Sequence, residues 1–387
     1  MRNFRGIIVA AVFLGLTWLL TKLGAVYHQL IGMAYPFASK TYMELIGGIT
    51  GKTDLVVWEV IVAIFFVAVV VSFGMMILFR WNFFRWLGWV LAPAAAAVFL
   101  WYCFWGLNNF AKPIEDSMKL EVKDYSTAML KEAAVFYRDE ANKLSSKVER
   151  DENGDVVLPD MEALNEAASK GYDNLVWEYS VFAGPRGPVK VLGWGELFDR
   201  MDTAAITMGL TGEAAVNLEV YSASVPFNMC HEMGHLAAFA REDEANFAAY
   251  LACEYSGDTL FRYSGFMEAY YYCVSALYAK DPAAYAQVWK GMSKDMAHDF
   301  EAMDRHAKET DGPMKEFGQN SNNKFLELSG QEDGIQTYAQ VTDLLVAWYQ
   351  FRYVVDDTPV GTQFDPFNYD EVFPTEPPTG PEETEAA

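Results

Sequence analysis

The apolar positions of this chain are concentrated in its first third, where they form three long runs. The runs cover residues 6–27, 55–79 and 86–110, and each is long enough for the roughly 20 apolar residues that a helix needs to cross a bilayer. The first run contains Lys22 near its end, the second contains Glu59 near its start, and the third contains no charge. The pattern predicts three transmembrane helices in a membrane domain over residues 1–110.

Basic residues beside these runs indicate their orientation. Two precede the first run and two lie in the loop between the second and third: Arg2, Arg5, Arg80 and Arg85. Cytoplasmic loops are enriched in arginine and lysine, so these four favour a cytoplasmic N-terminus over the two lysines of the first loop. Three crossings then place residues 111–355 outside the cytoplasm, as an extracytoplasmic domain.

Beyond residue 110 the apolar spacing becomes that of amphipathic helices, near 3.6 residues. It predicts helices over residues 114–150, 161–182, 244–255, 259–279, 282–306, 313–328 and 335–353, with a further one starting near Ser224 or Pro226. Three β-prone runs cover residues 189–194, 205–208 and 215–220, and a turn over residues 209–213 predicts a hairpin. The expected fold class is therefore mainly α with a small β-sheet (α+β).

Composition adds a tail and excludes some partners. Residues 356–387 are rich in proline, threonine and acidic residues, which predicts a disordered acidic tail. The net charge of −23 argues against nucleic acid and anionic surfaces as partners. None of the four cysteines forms a C-x-x-C pair, so no cysteine-ligated zinc is indicated. Buried free thiols are favoured over a disulfide between Cys253 and Cys273.

The candidate chemistry lies in His231-Glu232-Met233-Gly234-His235. Residues four apart lie on one face of a helix, so both imidazoles can bind one metal ion, with Glu232 beside them. This H-E-x-x-H spacing predicts one Zn²⁺ per chain, bound by His231 and His235, with Glu232 as the general base. The apolar stretch after the motif ends at Arg241, far short of bilayer thickness, which argues against an intramembrane protease.

A catalytic zinc site takes three protein ligands and keeps one position open. Glu244 opens the next predicted helix and is the favoured third ligand, with Glu242 and Asp243 as alternatives. His298 and His306 lie far along the chain on a charged helix, where we expect solvated surface histidines.

Other residues are candidates for the surroundings of the metal. Asn246 or Asp258 could orient an imidazole through its second nitrogen. The run over residues 215–220 could be an edge strand that pairs with an extended peptide. Glu213 and Asn217 would then lie near a peptide or protein substrate.

Residues 224–235 and 239–253 resemble the bacterial "domain of unknown function 3810" proteins, which carry an HExxH motif followed by E-A-N-F-x-A-Y-L-A-C. Shorter matching stretches extend the resemblance over nearly the whole chain except the tail. It implies a zincin-like peptidase domain after membrane helices of a bacterial cell, and it supplies no substrate. The E-A-N-F segment also looks like the E-x-E-A-[ND]-x-F-A segment of other HExxH peptidases, whose zinc-binding glutamate corresponds to Glu244.

These patterns predict a zinc metallopeptidase anchored in the lipid bilayer. Two alternatives stay open: a zinc amidase acting on cell-wall peptides, and a catalytically silent membrane scaffold or receptor. The presence of Glu232 argues against the scaffold, since a binding module needs no general base.

Overall fold

A computed structural model describes residues 2–329, 331, 337–355 and 358–359. The α-helices of this part are α1 Arg5–Val26, α2 His28–Thr50, α3 Val57–Leu78, α4 Phe83–Phe104, α5 Ile114–Met118, α6 Thr127–Ser145, α7 Met161–Glu178, α8 Gly195–Arg200, α9 Val225–Leu236, α10 Glu242–Tyr255, α11 Thr259–Lys280, α12 Pro282–Trp289, α13 Lys294–Glu309, α14 Pro313–Ser329 and α15 Thr337–Tyr353. The strands are β1 Val189–Val191, β2 Ala205–Met208, β3 Glu213–Val216, β4 Val354–Val355 and β5 Thr358–Pro359. The mainly helical class with a small sheet is confirmed.

Helices α1, α3 and α4 are long and apolar enough to cross a membrane, as the three apolar runs predict. Most of their large apolar side chains are exposed, which suits a surface surrounded by lipid. Helix α4 ends earlier than the apolar run over residues 86–110 that predicts it. It ends at Phe104, and residues Gly106–Phe110 form a 3₁₀ helix in which Gly106 packs closely against the ring of Trp101.

Helices α1 and α4 pack along each other and run parallel. The backbones of Gly6 and Gly88 touch near their N-terminal ends, and Gly24 packs against Leu107 and Phe110 just beyond the end of α4. Because α3 joins α4 through a short loop, α3 runs in the opposite direction. Helix α2, which follows α1, and the domain that follows α4 therefore lie at the same end of the α1–α4 pair.

Helix α2 is missing from the sequence prediction. Pro36 lies inside it, and a proline within a helical pattern normally indicates the end of a helix or a kink. Tertiary contacts hold it instead: the Tyr42 hydroxyl donates to the carbonyl of Leu210 at 2.7 Å, and the Thr50 hydroxyl donates to that of Thr211 at 3.0 Å. Helix α2 therefore connects the membrane helices to the sheet of the following domain.

Two long predicted helices are divided in the structure. The helix expected over residues 114–150 is α5 and α6, because Lys119 takes a left-handed backbone and Ser126 caps α6 through the amide of Met129. The helix expected over 282–306 is α12 and α13, with Ser293 as the cap of α13. Helix α7 ends at Glu178, four residues before its predicted end.

The main sheet has the order β1–β3–β2, with β1 parallel and β2 antiparallel to β3. The predicted hairpin is confirmed, although β3 starts at Glu213, inside the expected turn, and ends at Val216. The expectation of an edge strand over residues 215–220 is wrong. Strand β3 is central and fully buried because β1 pairs with its other side, and β2 forms an outer edge.

The core of the domain surrounds α10, in which every residue from Glu244 to Tyr255 is buried. Helices α7, α9, α11 and α15 pack around it, and Trp348 of α15 is fully buried there. The tail predicted from Asp356 lies outside the described residues, apart from β5, which pairs with β4.

Candidate metal site

The H-E-x-x-H motif lies on α9, which has Pro226 in its first turn and places its two histidines one turn apart. Ligand atoms of His231, Glu232 and His235 all lie within 4.8 Å of one another. Gly234 allows α10 to approach this helix, because a Cβ there would lie 3.0 Å from the Tyr172 hydroxyl and 3.6 Å from the backbone of Ala245. The sequence motif therefore forms a compact cluster next to the start of α10.

The ring of His235 is oriented by the turn that follows α9. Its Nδ1 lies 2.7 Å from the carbonyl oxygen of Phe239. Because a carbonyl only accepts hydrogen bonds, Nδ1 carries the hydrogen and Nε2 is left free to bind a metal. The turn depends on Ala238, whose φ of 70° reverses the chain towards α10.

The structure places Glu242 beside the two histidines. Its Oε2 lies 3.3 Å from Nε2 of His231 and 3.9 Å from Nε2 of His235. Zinc binds nitrogen and carboxylate oxygen at about 2.0–2.2 Å in a tetrahedral arrangement, so ligand atoms at such separations can share one ion. Two imidazoles and a carboxylate are also a donor set that catalytic zinc uses.

Glu244, the favoured third ligand in the sequence, lies elsewhere. Its carboxylate accepts the amide hydrogen of Ile114 at 2.7 Å and forms an ion pair with Arg241. Asp243 also turns towards Arg241, at 3.8 Å. Successive residues of a helix differ by about 100° in direction, so only one of these three neighbouring acids can face α9. The candidate for third ligand is therefore Glu242.

Glu232 is buried, with 4 % of its surface exposed, and its Oε2 has no hydrogen-bond partner within the described part of the chain. Burial raises the pKa of this carboxyl group to about 7, against the opposing effect of His235. A buried carboxylate oxygen without a partner costs roughly 1–3 kcal/mol or more. A water molecule on a neighbouring metal ion would satisfy this oxygen, so the residues present fit a zinc site.

The two residues predicted to orient the imidazoles differ in position. Asn246 is buried one helical turn after Glu242, on the same face of α10, and its amide nitrogen has no partner among the described residues. Its orienting role stays a prediction. Asp258 caps α11 instead, because its carboxylate accepts the amide hydrogens of Leu260 at 2.8 Å and Phe261 at 3.1 Å.

The two residues predicted to bind substrate make structural contacts. Glu213 forms a buried ion pair with Lys190 at 2.7 Å and accepts the amide hydrogen of Val57, at the start of α3, at 2.8 Å. The Asn217 amide donates to the carbonyl of Gly195 at 3.0 Å. These contacts join the sheet to the starts of α3 and α8. They use the Glu213 carboxylate and the Asn217 amide, the groups through which either residue would bind a substrate.

The remaining candidates lie away from the cluster. His298 pairs with Asp155 at 2.9 Å, and His306 pairs with Asp199 at 2.8 Å, both as partly exposed side chains. All four cysteines are free thiols, as expected, and three of them are buried.

Two neighbours of the cluster were absent from the sequence-based predictions. The indole of Trp105 donates to the carbonyl of His235 at 3.1 Å, with ring centroids 5.9 Å apart. The hydroxyl of Thr207, on β2, donates to the carbonyl of Glu232 at 3.0 Å. Trp105 begins one of the shorter stretches, residues 105–109, that resemble the domain of unknown function 3810, and this resemblance could have pointed to it. Nothing in the sequence distinguishes Thr207.

These features define a mainly helical protein with three candidate membrane spans and a largely buried cluster of His231, Glu232 and His235 beside a small sheet. The chain belongs to the family "Protein of unknown function (DUF3810)", whose model matches residues 33–346. This match begins inside α2, ends inside α15 and includes the whole cluster. No curated protein and no solved structure matches the chain.

Proposed function

We propose that the protein is a membrane-anchored zinc-dependent peptidase. The observation that carries the proposal is the approach of the Glu242 carboxylate to Nε2 of both His231 and His235, next to a carboxylate oxygen of Glu232 that has no hydrogen-bond partner among the described residues. A helix with two histidines beside a small sheet also supports a zincin-like domain. Glu232 favours an enzyme over a scaffold. Burying a carboxylate oxygen that has no partner among the described residues is costly, and a role as general base in hydrolysis accounts for it.

In this proposal His231, His235 and Glu242 hold the zinc ion through two Nε2 atoms and a carboxylate oxygen. When bound, zinc would supply a Lewis acid that polarises the scissile carbonyl and lowers the pKa of water. Glu232 accepts a proton from the attacking water, whose oxygen adds to the carbonyl carbon. Glu232 then gives that proton to the leaving amine nitrogen as the carbon–nitrogen bond breaks.

Strand β2 is the proposed docking edge for substrate. It lies at the outside of the sheet, and Thr207 links it directly to the helix that carries Glu232. An extended peptide that adds to this edge would be held by main-chain hydrogen bonds along the site. The outer edge replaces residues 215–220 as the proposed substrate strand.

The anchor consists of α1, α3 and α4. The arginines before α1 and between α3 and α4 support an orientation with the cluster outside the cytoplasm.

The test compares wild type with Glu232→Gln in a randomised peptide library, with zinc content measured by mass spectrometry. We expect about one zinc per chain in both proteins and a loss of cleavage of about 100-fold or more in the variant. Glu166→Gln, on the exposed side of α7, is the matched control and should cleave normally. Zinc-loaded wild type that cleaves no peptide would contradict the proposal, and release of cell-wall peptides alone would favour the amidase alternative.

A further inference from the structure

The cluster lies directly beyond the end of a candidate membrane span. Trp105 follows the last residue of α4, and its indole holds the carbonyl of His235. Tryptophan is enriched where spanning helices leave the hydrocarbon region. One side chain therefore connects the membrane boundary of α4 to the helix that carries both histidines.

Helix α14 lies against the same end of α4. The ring of Phe325 packs on Trp101 with centroids 5.5 Å apart, and the hydroxyl of Tyr102 donates to the carbonyl of Leu328 at 2.9 Å. Both α4 residues belong to its last turn. Helix α14 therefore lies at the depth where α4 leaves the bilayer.

One face of α14 exposes four large apolar side chains, while most other exposed residues of this helix are polar. Met314, Phe317, Phe325 and Leu328 are exposed, with Leu328 exposed to 70 %, and their spacing places all four on one face. Such a face beside a spanning helix is typical of helices that lie in the membrane interface.

Helix α2 has a second face of this kind. Its exposed large side chains are Leu30, Met33, Phe37, Leu45 and Ile49, while its buried residues lie on the opposite side against the domain. Phe37 is exposed to 78 %. The helix starts directly after α1 and ends shortly before α3, so it cannot move far from the bilayer. The bilayer is therefore the occupant that both apolar faces fit.

We infer that α2 and α14 rest in the bilayer surface on the side of the cluster, and that the substrate is a membrane-anchored polypeptide cleaved next to its anchor. The second of these two inferences, on the substrate class, rests on the proposed peptidase function. A site held at the interface by Trp105, α2 and α14 is close to the first residues that emerge from a neighbouring anchor. A soluble peptide would have to reach the same site from the water.

The membrane position is tested without any activity. An environment-sensitive fluorophore is attached at Phe317→Cys or, as the control on another face of α14, at the exposed Glu316→Cys, both in a Cys103→Ala background. The full chain is reconstituted in phosphatidylcholine vesicles whose acyl chains carry a nitroxide quencher. We expect about threefold or more stronger quenching at position 317 than at 316, since apolar faces of interfacial helices enter the acyl boundary. Equal quenching would overturn the membrane position.

The substrate class is tested in the same vesicles. A sequence cleaved in the peptide library is attached to a transmembrane helix through a Gly/Ser spacer of about 3 or about 40 residues, the longer reaching on average about 35 Å. We expect the short spacer to be cleaved about tenfold faster, because its target is confined to the interface. Equal rates, or a preference for the long spacer, would overturn the inference.

A charge on the apolar face of α14 should remove this preference. We expect Phe317→Glu to lose most cleavage of the short-spacer substrate while it still binds zinc, and Glu316→Gln, a charge change on another face of α14, to behave as wild type. If wild type cleaves neither the library nor either anchored substrate, both the proposed function and the inferred substrate class are wrong. The membrane position of α14 is still decided by the fluorescence quenching, which needs no activity.

Discussion

Glu242 Oε2 lies 3.3 Å from Nε2 of His231, across the contact between α10 and α9. Two residues further along α10, Glu244 faces Arg241 and the amide of Ile114 instead. The two carboxylates are close in sequence and differ entirely in their partners, so their substitutions should have separable effects.

Glu242→Ala should lose zinc, and Glu244→Ala should lose stability. Removing a ligand from a three-residue site should weaken zinc affinity by about 100-fold or more, since even residues behind the ligands matter by about 10–100-fold. Glu244→Ala should keep its zinc and unfold more easily by about 1–3 kcal/mol, because the buried amide of Ile114 loses its acceptor and Arg241 loses its nearer carboxylate. Zinc titration and thermal unfolding in detergent measure both effects. Zinc loss in Glu244→Ala alone would restore the ligand predicted from the sequence.

Trp105→Phe should weaken the site without abolishing it. The variant keeps an aromatic ring and loses the indole hydrogen bond to His235, worth about 1 kcal/mol. If the free energy of zinc binding falls by the same amount, zinc affinity is about fivefold lower. Trp177→Phe is the control, because the side chain of Trp177 on α7 is 86 % exposed and should leave zinc affinity unchanged. Identical zinc affinity in both variants would show that Trp105 does not position the metal helix.

Glu213→Gln should destabilise the protein and leave zinc content unchanged. The substitution leaves the buried Lys190 ammonium without its carboxylate, and breaking a buried pair costs about 3–5 kcal/mol. The exposed Glu166→Gln is the control and should keep the stability of wild type. Denaturant unfolding measures the free energies. A raised KM with normal stability would instead support the predicted contact with substrate.

Glu268 should make stability depend on pH. Burial raises the pKa of this carboxyl group from 4.5 to about 7, and the hydroxyl of Tyr221 donates to it at 2.7 Å. The folded protein therefore binds a proton more tightly than the unfolded chain, so this group lowers stability as pH rises from about 4.5 to about 7.

Glu268→Gln removes that titration. The variant should match wild type near pH 4.5 and be more stable at pH 8 by about 3 kcal/mol, which is the free energy that corresponds to the pKa shift. Unfolding at the two pH values measures the difference, with the exposed Glu166→Gln as a control that should follow wild type. A difference between variant and wild type that is the same at both pH values would contradict the prediction.

Local patterns in the sequence were enough for some parts of this protein. The three candidate spans are recognised by runs of about 20 apolar residues with almost no charge. The position of His231 and His235 on one face depends only on the helical repeat. The strand Ala205–Met208 is found as predicted, because its β-prone run ends at glycine-containing turn residues. In each case the deciding interactions lie within a few residues along the chain.

The tertiary structure decided which residues meet. The sequence favoured Glu244 over Glu242 and Asp243, and only the crossing of α10 over α9 brings Glu242 to the histidines instead. Helix α2 continues through Pro36, and contacts with the domain and with the end of α4 hold its inner face. Trp105 meets His235 across 130 positions of the chain. Such contacts depend on the relative placement of distant elements, and that placement results from packing of the whole core, which no local pattern encodes.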